Sequence, residues 1–400
     1  MTDRRAIMLA LVSAFLQRRA FSASRNSSGQ PQAPGRVWRV GPSPPSLALK
    51  AAVASAHAGD TILIEAAEYR GQVAVVDKDF LRIVGTGGRP RLVAAGAHAE
   101  GKGTLVVRAH GVVIENLELV GVRVEDHYGS AIRLEKGSLL IKGCRFIDNE
   151  LGVMTANEPS IQLDVVGCEF SGLRDSRGRG GALSHCLYAG AIDSLRVEGS
   201  YFHDGSVGHL IKSRARTNAI RYNRLTDQDG ISSYELEFPD GGVAEVVGNL
   251  IQQGRRSESS TIISYGAERL RWKENRLDVL FNTIVNDIPA GGYFVAVRPG
   301  GIATAVLHNV LVGNGDLRLG SDEDLKSNVR AKHSDFANAG DFDFRPRLGT
   351  SWLGSVSGVE HDVLPRLLPR GQYKHPTEVE ALPASRPGFL NPGAFHAVAP

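Results

Sequence analysis

The sequence predicts an all-β fold, a single-stranded parallel β-helix with an N-terminal capping helix and an irregular C-terminal tail. Three observations carry this. Short apolar alternations recur at a period in the twenties, a small polar residue sits in the middle of each repeat, and glycine supplies 46 of 400 residues against 18 prolines. Short alternating strands bounded by turn residues indicate β structure, and a period of that length indicates a solenoid.

At the start of the chain, residues 1–23 (MTDRRAIMLALVSAFLQRRAFSA) combine Arg4 and Arg5, an apolar run too short to span a bilayer and small residues near Ala23, the pattern of a signal peptide. Residues 24–36 form a polar linker. In residues 46–58, Leu47, Leu49, Ala52, Val53 and Ala56 follow a helical spacing, with Ser46 as the expected N-cap and Gly59 as the stop. This helix is expected to plug the apolar end of a coil that begins at DTILIEA, within a β-helix domain spanning residues 37–340.

Within the coil, Asn116, Cys144, Cys168, Ser200, Asn223, Asn249, Asn282 and Asn309 mark the repeats, at spacings of 28, 24, 32, 23, 26, 33 and 27. One turn of three short strands accounts for each spacing. The marker residue is expected to take a left-handed backbone at a bend and to bond the same residue one rung away. About ten rungs make a rod of roughly 45 Å. Beyond Asp341 the period fails; the tail, 341–400, is expected to pack along the rod through Trp352, Leu364, Leu367, Tyr373 and Phe389.

Composition excludes several classes. A net charge of +3 is too even for a chain devoted to neutralising nucleic-acid phosphates. Three cysteines without CxxC spacing suggest neither a disulfide scaffold nor zinc, and Cys144 and Cys168 are expected to be buried thiols. No later segment is long enough to span a membrane. Oligomeric state cannot be read from the sequence.

A coil of this kind presents ligands with an outer strand face, which suits extended polymers. The second strand of each period gathers polar residues on successive rungs: His185 and Tyr188, then His209, Lys212, Arg214 and Arg216, then Tyr234, Glu235 and Glu237, then Tyr265, with Arg298 beyond. Lys212 is the most unusual of these, standing in the otherwise apolar run Leu210–Ile211. Glu235 and Glu237 alternate and are expected to face one side about 7 Å apart, a spacing compatible with a glycosidase carboxylate pair. The Arg-rich stretch 175–181 could clamp an anionic polymer or be a simple insertion.

The stretch HLIKSRARTNAIRYNRL (209–225) resembles the signature of the chondroitinase B and alginate lyase family, within the pectate-lyase-like superfamily of right-handed parallel β-helices. Lys212, Ser213, Asn218, Arg221 and Asn223 match it in order, over about 17 residues. The resemblance implies a right-handed coil and Lys212 as catalytic base, assisted by an Arg on the next rung. Two features depart from it. The next rung, SSYELEFPDGG, lacks the expected Arg, and no calcium-holding acidic pair lies just upstream of Lys212.

β-Elimination of a uronate needs a base at C5, a neutralised carboxylate and a proton donor for O4. Lys212 is the candidate base, His209, Tyr188, His185 and Tyr234 are candidate donors, and Arg214 and Arg216 could fork a carboxylate. Glu235, Glu237, Tyr265 and Arg298 complete the expected substrate-binding set. The expected function is therefore a secreted or periplasmic lyase of an acidic polysaccharide. The chemistry requires no cofactor, and Ca²⁺ remains an option. A glycoside hydrolase using Glu235 and Glu237, a C5-epimerase and a non-catalytic glycan-binding surface or matrix protein are the alternatives.

Overall fold

The computed structural model describes residues 35–172, 184–300, 302–319, 327–356, 367–382 and 390–396. The expected signal peptide, nearly all of the linker, the Arg-rich stretch 175–181 and the tail anchors Leu364 and Phe389 lie outside the described residues.

The chain forms a right-handed parallel β-helix. Each turn contributes three short strands, and each strand pairs in parallel with its counterparts on neighbouring turns, giving three columns. The column containing Glu118–Val120, Arg145–Ile147 and Glu169–Ser171 is an eleven-stranded sheet. The other two join into one nineteen-stranded sheet, because Gly103–Glu115 and Ser130–Lys142 run through the corner between them.

In-register stacking puts like positions above one another. Ile132, Val153, Leu187, Ile211, Leu236 and Ile263 make one interior row. All six are fully buried, each worth about 1.5–3 kcal/mol on leaving water. Phe146, Phe170 and Phe202 stack with centroids 4.5 Å apart in another row. Glu118, Arg145 and Glu169 alternate in sign on the outside, and Arg145 reaches Glu169 at 2.8 Å.

The ladder at the bend is present with one correction. Asn223, Asn249, Asn282 and Asn309 each donate Nδ2–H to Oδ1 of the next ladder Asn at 2.9–3.0 Å, ending at Asn328. The left-handed residue is the one before: Tyr222, Gly248, Phe281 and His308 have φ of 54–70°. That residue reverses the chain, and the next tucks its amide inward. Asn116 itself has φ of 57°, so Leu117 takes the buried ladder position on its rung. Smaller groups continue the ladder: Cys144 N–H points at Cys168 Sγ (3.4 Å), Cys168 N–H at Ser200 Oγ (3.1 Å) and Ser200 N–H at Asn223 Oδ1 (2.9 Å). Both cysteines are free, buried thiols.

The capping helix, Leu49–Ser55, is shorter than expected and buries Leu49, Ala52 and Val53 over the end of the coil. Ser46 is not its cap. Ala48 holds that position, and the Leu49 N–H is satisfied by Gln72 Oε1 at 3.0 Å. In the tail, Trp352 and Tyr373 pack with Leu250, Val285 and Val310, while Leu367 packs with Val247, Leu280 and Phe281. Two short antiparallel pairs, Phe336–Asn338 with Asp343–Pro346 and Gly371–Lys374 with Glu378–Ala381, give it local order. Among the described residues, no helix is long and apolar enough to cross a membrane.

Candidate active site on the third column

The strands Leu151–Thr155, Leu187–Ala189, Ile211–Ser213, Leu236–Phe238 and Thr261–Tyr265 stack in register. Because Ile211 and its equivalents face inward, the neighbouring residue faces outward. One outer row therefore runs Arg133, Met154, Tyr188, Lys212, Glu237, Ser264. Lys212 lies at its centre with its side chain 13% exposed.

Four of the five signature residues serve the coil. Ser213 Oγ donates to Asn218 Oδ1 at 2.5 Å, and Asn218 Nδ2 donates to Ala215 O at 3.1 Å, which stitches the corner after the strand. Asn223 belongs to the ladder, and Arg221 pairs outward with Glu245. Lys212 alone of the five reaches the outer row.

Its surroundings are densely charged. Lys212 Nζ is 2.9 Å from Glu237 Oε2 and 3.4 Å from Glu268 Oε1. His209 Nε2 approaches the same Glu237 oxygen at 3.0 Å. Burial disfavours the Glu237 charge, but His209 and Lys212 outweigh it and hold the carboxyl below its usual range. His209 Nδ1 accepts the Tyr234 N–H (3.4 Å), and its Nε2 faces Glu237.

Arg214 is the second cation. Its Nη1 is 2.6 Å from Asp240 Oδ1, its Nε donates to Tyr188 Oη at 3.0 Å, and its Nη2 donates to Glu268 Oε1 at 2.8 Å. Burial opposes its charge, and the bonds to Glu268 and Tyr188 with the charge of Asp240 more than compensate, so its pKa is raised. Asp240 is fully buried and also binds Arg269 (3.2 Å) and Arg271 (3.0 Å). The indole N–H of Trp272 donates to Arg214 O at 3.1 Å.

The remaining predicted residues divide. His185, His209 and Tyr234 lie on successive rungs with their rings tilted against one another, centroids 4.7 and 4.9 Å apart. His185 Nδ1 accepts the His209 N–H, and burial, with the charges of His209, Lys212 and Arg214, pushes its pKa well down, so this ring supports the row from below. Arg216 leaves the row to pair with Asp193. Arg298 is exposed and donates to Glu268 O at 3.2 Å.

Two expectations are corrected. Glu235 and Glu237 do not share a face. Glu235 precedes the strand Leu236–Phe238 at a corner, where the alternation breaks, and is fully buried beside Gln253 Nε2 at 3.2 Å. Burial and the charge of Asp227 push its carboxyl well up. Tyr265 likewise points inward, its hydroxyl donating to Gly242 O, so it presents nothing to the row. Sequence reasoning missed Asp240, Glu268, Arg269, Arg271 and Trp272. For the last four the signal was the 33-residue spacing between Asn249 and Asn282, the longest in the ladder, which contains the charged stretch GAERLRWKEN; Asp240 lies on the rung before, in SSYELEFPDGG.

A stacked coil with a charged outer strand face places the chain in the class of parallel β-helices, and comparison with solved structures agrees. Pectate lyase Pel9A superposes with a TM-score of 0.54 at 13% identity, covering 94% of this chain and 99% of that one. This likeness bears out the fold. The PL6 family alginate lyase AlyGC gives a TM-score of 0.33 at 15% identity, covering 77% of this chain and 41% of that one. No family model matches the sequence, and no curated protein matches it.

Proposed function

We propose that the protein is an exported polysaccharide lyase that cleaves a uronate-containing polymer by β-elimination at the outer row around Lys212. The observation that carries this is the register of Tyr188 and Lys212 on adjacent rungs, with Arg214 Nε on the Tyr188 oxygen at 3.0 Å. Base, proton donor and cation thus lie within about one 4.8 Å rung spacing along a face open to an extended chain.

Lys212 needs a free electron pair to take the C5 proton, whereas Glu237 holds it as an ammonium while the site is solvated. Covering the row with polymer removes water from the pair, and a desolvated ion pair loses its advantage over the neutral one. The Lys212 proton then passes to Glu237 across 2.9 Å, and the amine accepts the proton from C5. Arg214 polarises the Tyr188 hydroxyl, which donates to the departing O4. No metal is needed for these steps, and Ca²⁺ beside the substrate carboxylate is compatible with them.

The test is incubation with a panel of uronate polymers, following the ultraviolet absorbance of the unsaturated product. Turnover lost in Lys212→Ala supports the reading, and no unsaturated product from any polymer refutes it. One observation favours a second reading: two carboxylates already satisfy the Lys212 ammonium. On that reading the face binds acidic glycans without turnover, and Lys212→Ala only weakens binding.

A further inference from the structure

We propose that Arg214, beside Lys212, forms a carboxylate-binding subsite, which Glu268 fills until a substrate carboxylate replaces it. The inference rests on the polyuronate reading above and adds which group of the polymer is held, by what, and what it displaces.

Three carboxylates touch the two cations, and they differ in kind. Asp240 is fully buried under three guanidinium groups, and the Glu237 side chain is 5% exposed against His209 and Lys212. Both are fixed parts of the site. The Glu268 side chain is 47% exposed and reaches the cations from more than fifty residues away in sequence. It is the exchangeable member.

Its placement is that of a bound ligand. Arg214 Nη2 is 2.8 Å from Oε1 and Arg214 Nη1 is 2.8 Å from Oε2, a fork on both oxygens, while Lys212 Nζ adds a third contact at 3.4 Å. A planar carboxylate on a sugar ring can take the same Arg214 fork. The segment that carries Glu268 is tethered just beyond the exchange point. Arg269 and Arg271 bind Asp240, and Trp272 binds Arg214 O, so Glu268 can leave without the segment unfolding. A neutral polymer has no group able to replace Glu268, so the exchange selects for acidic chains. Trp272 beside Arg214 reports on it.

The experiment measures binding, which does not depend on turnover. Tetrasaccharides of galacturonate, mannuronate and glucuronate, and the same oligosaccharides with their carboxyls reduced to alcohols, are titrated against the full chain by calorimetry and by tryptophan emission, with Trp272→Phe as the control that isolates the Trp272 signal. Glu268→Gln is expected to tighten binding of a carboxylated oligosaccharide about fivefold, the worth of one half-exposed ion pair, and to leave the reduced forms unchanged. Glu268→Ala changes affinity in the same direction. An unchanged or weaker affinity in both variants, equal tightening of the reduced forms, or no binding of any carboxylated probe overturns the subsite. Tightening without lyase turnover keeps the subsite and removes the elimination reading, and turnover without tightening does the reverse.

Discussion

Replacing Lys212 by Met separates a catalytic ammonium from a structural one. The substitution keeps most of the aliphatic stem and removes the charge 2.9 Å from Glu237. Losing one partner of a buried pair costs about 3–5 kcal/mol. Here Glu237 retains His209 at 3.0 Å and the Lys212 side chain is 13% exposed, so about 2 kcal/mol is the reasoned cost. In a chain of this length that lowers Tm by about 2–4 °C. Glu237 has a depressed pKa, so its contribution to stability is complete above the unfolded-state value and is lost as pH falls through the folded-state value. The Tm deficit of Lys212→Met is therefore present at neutral pH and disappears in acid. If Lys212 is the base, turnover falls by about 10²–10⁴ as well. Circular dichroism melts across pH and initial rates on the preferred polymer measure both effects. A variant that shows the Tm deficit but keeps more than about a tenth of wild-type turnover refutes the assignment of Lys212 as base.

The same geometry bears on three other perturbations. Burial raises Asp227 to about 6 against the bonds it accepts from Ser232 and Gly205, so the folded state holds this proton more tightly than the unfolded state does. Its contribution to stability is complete below the unfolded value and declines as pH rises to about 6, by up to about 3 kcal/mol, and Glu235 acts in the same direction. Denaturant titrations of wild type and Asp227→Asn test this, because the variant's stability should vary less over that range. Asn249→Ala removes the acceptor for two buried donors of Asn223 and should cost about 2–4 kcal/mol, read as a lower denaturation midpoint at unchanged slope. Asp240→Asn weakens the anchor of Arg214, Arg269 and Arg271, so trypsin should cut after Arg269 or Arg271 faster than in wild type, and equal rates would count against the anchoring role.

The coil was legible because in-register stacking forces one pattern to recur on every turn, and a period in the twenties survives loops of different length. The ladder was legible to within one residue. Its marker is conspicuous as Asn, whereas the left-handed position before it is held by Gly, Tyr, Phe or His and leaves no compositional trace. The sequence marked Lys212 and Glu237 as candidates but left the face of Lys212 open, and only the register of the stacked strands puts both in the outer row. It failed at Glu235 because a strand's alternation does not extend through a corner, and no local signal marks where the corner falls. Glu268 was illegible for another reason. Its contact with Lys212 spans 56 residues and depends on how one insertion folds back over two rungs. Arg214 came through as a candidate cation, but its partners Asp240 and Glu268 appear only once the rungs are stacked.

The most direct test of the central claim is mass spectrometry of the fragments released from a uronate polymer by the wild-type chain and by Lys212→Met. Elimination at the Lys212 row predicts shortened fragments from wild type, each new non-reducing end lacking one water, and almost none from the variant. Fragments whose new ends carry the full complement of water, or polymer left at full length, would contradict it.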